Sequence, residues 1–173
     1  MTNGLKVKKR NGTIEPIDLE KMHKMVEAAT DGLAGVSASQ VEIQSGIQFY
    51  DGISTNEIQE IVIRSASDLI DLDHPNYQFV AARLLLFATR KQLYGRMHDT
   101  PTVKEHVKEC VNRGVYDAEI LDLYDDEEFD KLQSFIDHSR DYLFTYAGLR
   151  QVVDKYLVQD RSSCTLYETP QFM

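Results

Sequence analysis

The segment 79–88, FVAARLLLFA, constrains the fold of this chain more than any other segment. It is apolar almost all the way round a helix, and a helix without a polar face must be buried among other elements. Arg83 interrupts the segment, and its length is far too short to cross a bilayer. The sequence therefore predicts a central buried helix, beginning near Pro75 and ending at Gly95.

Three further helices are predicted before this segment. Apolar residues recur at spacings of three and four over residues 19–33, which is typical of one helix face, and Asp18 is the candidate N-cap. Ser37 opens a second helix that we expect to end at Gly52. Ser54 opens the third, because S-T-N-E is a capping box.

The chain begins with a predicted β-hairpin. Leu5 and Val7 alternate with lysines, and Asn11-Gly12 is a strong two-residue turn signal because both positions tolerate positive φ. We expect the return strand to end near Glu15, since the next residue is a proline without an N–H. A hairpin and four helices predict a first domain over residues 1–95, with a mostly α, α+β fold in which the hairpin caps a four-helix bundle.

Residues 96–173 predict a second, helical piece. Thr102 caps a short helix, and the acidic run 122–130 suits a helix N-terminus. Aromatic and aliphatic residues over 142–156 follow helical spacing, and a Ser-Ser-Cys turn ending at Cys164 predicts a second hairpin. This piece has no closing element, so we expect a truncated domain.

Charge and cysteine content restrict the functional class. The 173 residues carry a net charge of −9, which argues against a general nucleic-acid or anionic-membrane binder. Two cysteines are too few for a disulfide scaffold or a four-thiolate zinc site, and the N-terminal residues lack the apolar stretch of a secretory signal. We therefore expect a cytoplasmic chain.

The positive charge is concentrated in the first hairpin. Lys6, Lys8, Lys9 and Arg10 lie within ten residues that contain no acid. Such a hairpin either supplies a local anion site on an acidic body or only protects an exposed sheet edge. Both interpretations remain open from charge alone.

Other cations favour the anion site. Lys21 lies in the first turn of a predicted helix, where free N–H groups attract phosphate. Thr55 lies in another capping turn, and Lys91 lies near the end of the central helix. Neither GxxxxGK[ST] nor GxGxxG occurs in the sequence, so neither common nucleotide-binding motif applies.

Three stretches carry a family resemblance, namely VKKRNGTIEPIDLEKMHK, IQFYDGISTNEIQEIVIRSASDLI and NYQFVAARLLLFATRKQLYG. In this order they resemble the ATP-cone of class I ribonucleotide reductase large subunits. FIDHSRDYLFTYAGLRQVVDKYLVQDR and YETPQFM resemble the start of the reductase domain of the same subunit. The resemblance covers essentially the whole chain.

The resemblance implies a fold and an allosteric role. An ATP-cone is a hairpin on a four-helix bundle, and in this family ATP activates and dATP inhibits reduction. Mg²⁺ is expected to accompany the triphosphate. The resemblance places the nucleotide contacts at Val7, Lys9, Arg10, Glu15, Pro16, Ile17, Asp18, Leu19, Glu20, Lys21, Thr55, Ile58, Gln59 and Lys91. The cations would hold the phosphates through charge-assisted hydrogen bonds, and Val7, Ile17 and Ile58 would form apolar walls for adenine.

Three positions depart from the family. The family often has Asn at Asp18, Asp at Glu57 and His at Gln59. The resemblance places these positions near the sugar and base, where a 2′-hydroxyl is recognised only by groups that hydrogen-bond it. We therefore expect ATP binding with a weak or altered response to dATP.

The resemblance also implies partners and chemistry for a full-length protein. That protein reduces ribonucleoside diphosphates by radical chemistry, forms a large-subunit dimer and works with a radical-generating small subunit. The catalytic cysteines of the family belong to later segments, so we expect no catalytic residue and no reductase activity in this chain. Cys164 stands where the family usually has glycine.

Two alternatives come from other functional classes. A nucleotide-sensing transcription regulator also uses an ATP-cone, but it needs a four-cysteine zinc ribbon that two cysteines cannot form. The second alternative is a helical interaction module with a degenerate cone.

The five histidines are scattered along the sequence. We therefore expect them on the surface or at helix ends, with no metal site, and we expect Cys110 in the core.

Overall fold

The computed structural model describes residues 4–9 and 12–173. Arg10, a predicted phosphate contact, and Asn11, in the predicted turn, lie outside the described residues. The helices are α1 (Leu19–Thr30), α2 (Ala38–Gly46), α3 (Thr55–Asp68), α4 (Tyr77–Tyr94), α5 (Val103–Asn112), α6 (Ile120–Leu123), α7 (Asp126–Gln133) and α8 (Tyr146–Gln151). The strands are β1 (Lys6–Lys8), β2 (Ile14–Pro16), β3 (Ile53–Ser54), β4 (Gln159–Asp160) and β5 (Thr165–Leu166). The mostly helical α+β class is confirmed.

The chain divides into two compact units. The first extends to Leu85 and includes Thr145–Ala147, and the second contains Leu86–Phe144 and Gly148–Met173. Helix α4 therefore contributes residues to both units. In the described part of the chain, no helix is both long and apolar enough to span a membrane.

The first unit contains a three-stranded sheet in the order β2-β1-β3. β1 runs antiparallel to β2, as predicted, and parallel to β3, which was not predicted from the sequence. β3 has two residues, too few to show an alternating pattern. β2 continues one residue beyond the predicted Glu15, because Pro16 lies opposite Lys6 at the strand end, where the missing N–H costs little.

The hairpin turn closes through Lys9 and Thr13. The Lys9 N–H donates to the Thr13 carbonyl (2.8 Å), and the Gly12 N–H donates to the Lys9 carbonyl (2.9 Å). The connection is therefore one residue longer than the predicted two-residue turn. Gly12 has φ +84°, a conformation that other residues rarely adopt.

Local capping signals give the helix starts correctly. The Asp18 carboxylate accepts the Lys21 N–H (3.1 Å), and Ser54 and Glu57 form both halves of the predicted capping box. Helix α2 ends at Gly46, well before the predicted Gly52, because the intervening chain turns back to form β3.

Helix α4 is buried as predicted, and Arg83, the charged residue within its apolar segment 79–88, has a structural task. Val80 and Ala81 are fully buried in the first unit. The Arg83 guanidinium donates to the carbonyls of Ala29 (3.2 Å) and Asp31 (2.6 Å), at the C-terminus of α1. It therefore satisfies carbonyls that a helix end leaves without partners. The four-helix bundle arrangement stays a prediction.

The second unit begins with the predicted α5, whose capping box joins Thr102 and Glu105. Cys110 is buried on this helix, as expected. The observed helix is shorter than the predicted one over 142–156, because α8 starts only at Tyr146 and continues as a π-helix, Val152–Tyr156. A 3-10 helix, His138–Leu143, precedes it, and a last one covers Pro170–Phe172. Cys164 has φ +54° in the β4–β5 turn, which explains why glycine suits this position.

His106 corrects the expectation that the histidines lie on the surface or at helix ends. Its side chain is buried within the second unit and stacks on the Phe172 ring, with centroids 4.2 Å apart. Tyr116 packs edge-on against it, and the Cys110 sulfur lies 3.6 Å from Nε2. Burial lowers the pKa of His106 to about 4, so the imidazole is neutral at pH 7.

Acidification is expected to destabilise the second unit through His106. The folded-state pKa of about 4 lies below the ordinary 6.5. The stability that the neutral imidazole contributes is therefore complete above pH 6.5 and is lost as the pH falls towards 4. Urea unfolding at pH 7 and pH 4.5 measures this loss, which is at most about 3 kcal/mol. Burial raises the pKa of Glu168, whose protonation acts in the opposite direction. His106→Leu should therefore show a smaller acid loss than the wild type, and an equal loss would contradict the assignment.

Candidate functional site

The end of β1 lies beside the start of α3. Lys8 pairs with Ser54 across the parallel β1–β3 ladder, so Lys9 and Thr55 follow at the same end of the two strands. The first N–H groups of a helix lack intrahelical acceptors and carry a partial positive charge. The sheet therefore places the backbone of Lys9 beside the N-terminus of α3, while its side chain reaches Glu15 on β2.

The start of β1 lies beside the chain that enters α1. The Ile17 N–H donates to the Leu5 carbonyl (2.9 Å), and Asp18 then caps the helix. β1 has three residues and rises about 3.3 Å per residue. The entry into α1 and the start of α3 therefore flank opposite ends of one short strand. This arrangement brings the predicted residues of the hairpin, α1 and α3 into one region of the first unit.

Two predicted phosphate-binding lysines are paired with carboxylates. Lys9 Nζ lies 3.0 Å from Glu15, and Lys21 Nζ lies 3.0 Å from Asp18. The hydrogen bond from Lys21 lowers the pKa of Asp18, and the same bond raises the pKa of Lys21. All four side chains are exposed, and exposed ion pairs contribute little to stability. A polyanion can therefore replace the carboxylates at small cost.

Both oxygens of the Glu57 carboxylate accept hydrogen bonds within the first unit. Its Oε2 accepts the Ser54 N–H (2.9 Å), and its Oε1 accepts the Tyr50 hydroxyl (2.9 Å). The hydrogen bonds from Ser54 and then Tyr50 lower the pKa of Glu57. This carboxylate therefore serves the capping box first, and each of its oxygens keeps one lone pair for a further donor.

The remaining predicted residues differ in accessibility. Val7 is 4% exposed, so its side chain belongs mainly to the core. Gln59 is also buried, whereas Ile58 is half-buried. Pro16 is exposed, Ile17, Leu19 and Thr55 are half-buried, and the exposed Glu20 pairs with Lys24 at 2.8 Å. Lys91 lies in the last turn of α4, among residues of the second unit, and its role beside the hairpin stays a prediction.

A groove between α1 and α2 was not predicted. It has a volume of about 830 Å³ and is lined partly by Leu19, Met22, Ile43 and Ile47. His23 crosses it, with ring nitrogens 2.6 Å from Glu42 and 3.1 Å from Glu27, and the hydrogen bond that His23 donates to Glu42 raises the pKa of His23. The signal in the sequence was the i, i+4 pair formed by Ile43 on α2 and Ile47 directly after it, which the structure leaves exposed.

Within residues 4–9 and 12–173, no three histidine, cysteine or acidic side chains are grouped so as to hold a metal ion. The site as described consists of helix N-termini, lysines and their paired carboxylates. This set suits a phosphate-bearing ligand held by charge and by backbone N–H groups. A divalent ion at this site would have to share the ligand's phosphate oxygens.

Comparison with known proteins gives the same family as the resemblance noted in the sequence. The family model of the ATP cone domain matches residues 5–92. All 173 residues are 47% identical to "Ribonucleoside-diphosphate reductase 1 subunit alpha" of Escherichia coli and 48% identical to the subunit alpha of Haemophilus influenzae. The alpha subunit of Enterobacteria phage T4 is 41% identical over 170 residues. This chain spans 23%, 23% and 22%, respectively, of the length of these relatives.

Proposed function

Because this chain belongs to the ATP-cone family, we propose that its first unit binds ATP or dATP, with Mg²⁺, as an allosteric effector. The observation that carries the proposal is the match of residues 5–92, which includes the basic hairpin and the two capped helix N-termini around it. Free N–H groups and lysines at one place form a triphosphate site without a glycine-rich loop.

The proposed contacts follow the resemblance and the placement of the side chains. Lys9 and Lys21 leave Glu15 and Asp18 to bind phosphate oxygens, and a Mg²⁺ ion accompanying the triphosphate would offset the negative charge of the released carboxylates. Arg10 and Lys91 complete the cationic set. Ile17, Ile58 and the partly accessible edge of Val7 contact the base, while the other predicted contacts are Pro16, Leu19, Glu20, Thr55 and Gln59.

For the full-length protein, we propose the activity of the relatives, reduction of ribonucleoside diphosphates to deoxyribonucleoside diphosphates. Whole-chain identity of 47% and 48% to two reductase alpha subunits supports this. A radical-generating small subunit and a second large subunit are the proposed partners. In this scheme, the present chain is the regulatory region and leaves the chemistry to other segments. The cytoplasmic location stays a prediction.

Discrimination between ATP and dATP is proposed to be weak. The hydrogen bonds from Ser54 and Tyr50 fix the Glu57 carboxylate in the capping box, which restricts its reorientation towards a ribose 2′-hydroxyl. Titration calorimetry should give dissociation constants for the two nucleotides that agree within about ten-fold, about 1.4 kcal/mol. Strongly preferential, tight binding of dATP would contradict this prediction, and no heat with either nucleotide at millimolar concentration would favour the interaction module.

A further inference from the structure

His106 and Cys110 lie one turn apart on the same face of α5, in the interior of the second unit. The His106 Nε2 lies 3.6 Å from the Cys110 sulfur, and the Tyr167 carbonyl oxygen lies 3.8 Å from the same sulfur. A thiol has one proton, so it can donate to only one of these two acceptors at a time. A nitrogen, a sulfur and an oxygen with lone pairs are therefore grouped inside this unit.

The two distances match those between ligands of one Zn²⁺ ion. Zinc binds sulfur at about 2.3 Å, histidine nitrogen at about 2.0 Å and oxygen at about 2.1 Å, with tetrahedral angles. These values separate sulfur from nitrogen by about 3.5 Å and sulfur from oxygen by about 3.6 Å. The observed distances of 3.6 Å and 3.8 Å agree with them to within about 0.2 Å, which is the tolerance expected of a metal site.

The imidazole of His106 is held in one orientation by aromatic neighbours. Its ring stacks on Phe172, with centroids 4.2 Å apart and planes 7° apart, and Tyr116 packs edge-on at 6.0 Å. Cys110 is 2% exposed, so packing restricts its side chain as well. Ligands whose orientation is fixed in advance lose little conformational freedom when an ion binds.

A cavity of about 90 Å³ adjoins these groups, and its lining includes His106, Cys110 and Tyr167. A water molecule occupies about 30 Å³ in the liquid, so the cavity has room for a cation with one or two water molecules. The donors at the sulfur therefore face a space in which an ion can complete its coordination.

The charged groups around this cavity favour a cation. Glu105 and Glu109 line it, and both are exposed, so an ion can enter from the surface. Arg113 also lines the cavity and pairs with Glu109 at 2.7 Å. The two carboxylates outnumber this guanidinium, and clefts with an excess of negative charge raise the local concentration of cations.

We propose that His106 Nε2, Cys110 Sγ and the Tyr167 carbonyl oxygen bind one Zn²⁺ ion. When the ion binds, the thiol releases its proton to solvent, the sulfur coordinates as a thiolate, and a water molecule in the cavity takes the fourth position. The ligands are two side chains and a backbone carbonyl, not three histidine, cysteine or acidic side chains. The loss of stability with acid expected for His106 belongs to the metal-free protein.

The bound ion joins α5 to the chain that follows β5, 57 positions after Cys110. All three ligands belong to the second unit, so the site is independent of nucleotide binding by the first. The scattered histidines predicted no metal site, but the spacing His-x-x-x-Cys places two ligands on one helix face.

Titration of the reduced, metal-free 173-residue protein with Co²⁺ tests the proposal. Co²⁺ takes the same ligands as Zn²⁺, and a bound thiolate gives it a charge-transfer band in the near ultraviolet. We expect a band that saturates with one ion bound per chain and disappears when Zn²⁺ is added. In the wild type, Zn²⁺ should also slow hydrogen–deuterium exchange about five-fold or more in α5 and residues 165–169, and leave α1 and α3 unchanged.

Two cysteine variants are matched to each other. Cys110→Ala should abolish the band, whereas Cys164→Ser, which removes the exposed cysteine of the β4–β5 turn, should keep it. His106→Leu should weaken Co²⁺ binding at least about ten-fold. Far-ultraviolet circular dichroism of the metal-free variants checks that they fold.

Four results would overturn the zinc site. A band that persists in Cys110→Ala or is lost in Cys164→Ser would place the ion at another group. Unchanged affinity in His106→Leu would remove the nitrogen ligand. Exchange in α5 that Zn²⁺ leaves unchanged in the wild type, a measurement that needs no variant, would show that no ion binds there.

Discussion

Asp141→Asn is expected to lower the free energy of unfolding of the second unit by about 3–5 kcal/mol, the usual cost of removing one partner of a buried ion pair. Asp141 is fully buried, and the substitution leaves the Arg90 charge without compensation. It also weakens the hydrogen bond from Gln171. Urea unfolding followed by far-ultraviolet circular dichroism measures the change as a lower transition midpoint at an unchanged slope.

Two variants make this prediction specific. Asp130→Asn removes the same charge from an exposed position and should change stability by less than about 0.5 kcal/mol. Arg90→Met/Asp141→Leu should be much closer to the wild type than Asp141→Asn, because no charge is left buried. If Asp141→Asn were as stable as Asp130→Asn, the pair would have no role in holding the second unit together.

Lys9→Ala with Lys21→Ala is expected to abolish the stabilisation of the first unit by ATP. A charge-assisted hydrogen bond contributes about 1.5–3 kcal/mol, so losing two should weaken ATP binding by at least about 100-fold. At an ATP concentration 100 times the dissociation constant, the wild type gains about 2.7 kcal/mol and the variant gains much less. A thermal-shift titration with Mg·ATP measures this as the loss of a saturable rise in melting temperature.

Lys108→Ala with Lys131→Ala is the control for this experiment. Both lysines are exposed on the second unit, and the change in net charge is the same. This variant should keep the full ATP response. An equal loss of the ATP-dependent rise in melting temperature in both double variants would mean that ATP responds only to the overall charge of the protein. A full rise in Lys9→Ala/Lys21→Ala would mean that these two lysines do not contribute to the site.

The features that the sequence predicted depend on neighbouring residues. The N-caps at Asp18, Ser54 and Thr102 were found because a cap and its N–H partner lie three residues apart. The acidic start of α7 was found because negative charge is favoured at a helix N-terminus, although its capping box between Asp125 and Glu128 was not identified. Helix existence and starts therefore follow from short-range chemistry.

The features that the sequence did not predict depend on residues that are distant along the chain. β3 exists because two residues meet β1, some 45 positions earlier, and Arg83 caps a helix that ends more than 50 positions before it. His106 lies in the core because Phe172 stacks on it. For the candidate site, the sequence indicated the lysines but not that Lys9 and Lys21 each hold a carboxylate.

The pairing of Lys9 with Glu15 and of Lys21 with Asp18 has a kinetic consequence. Each pair is neutral at distances much larger than the 3.0 Å between its two charges. An approaching nucleotide therefore meets the field of an acidic body with a net charge of −9, and long-range attraction does not accelerate its arrival. The lysines act only at contact, when enough phosphate groups are present to displace both carboxylates. Such a site favours triphosphates over the smaller anions around them.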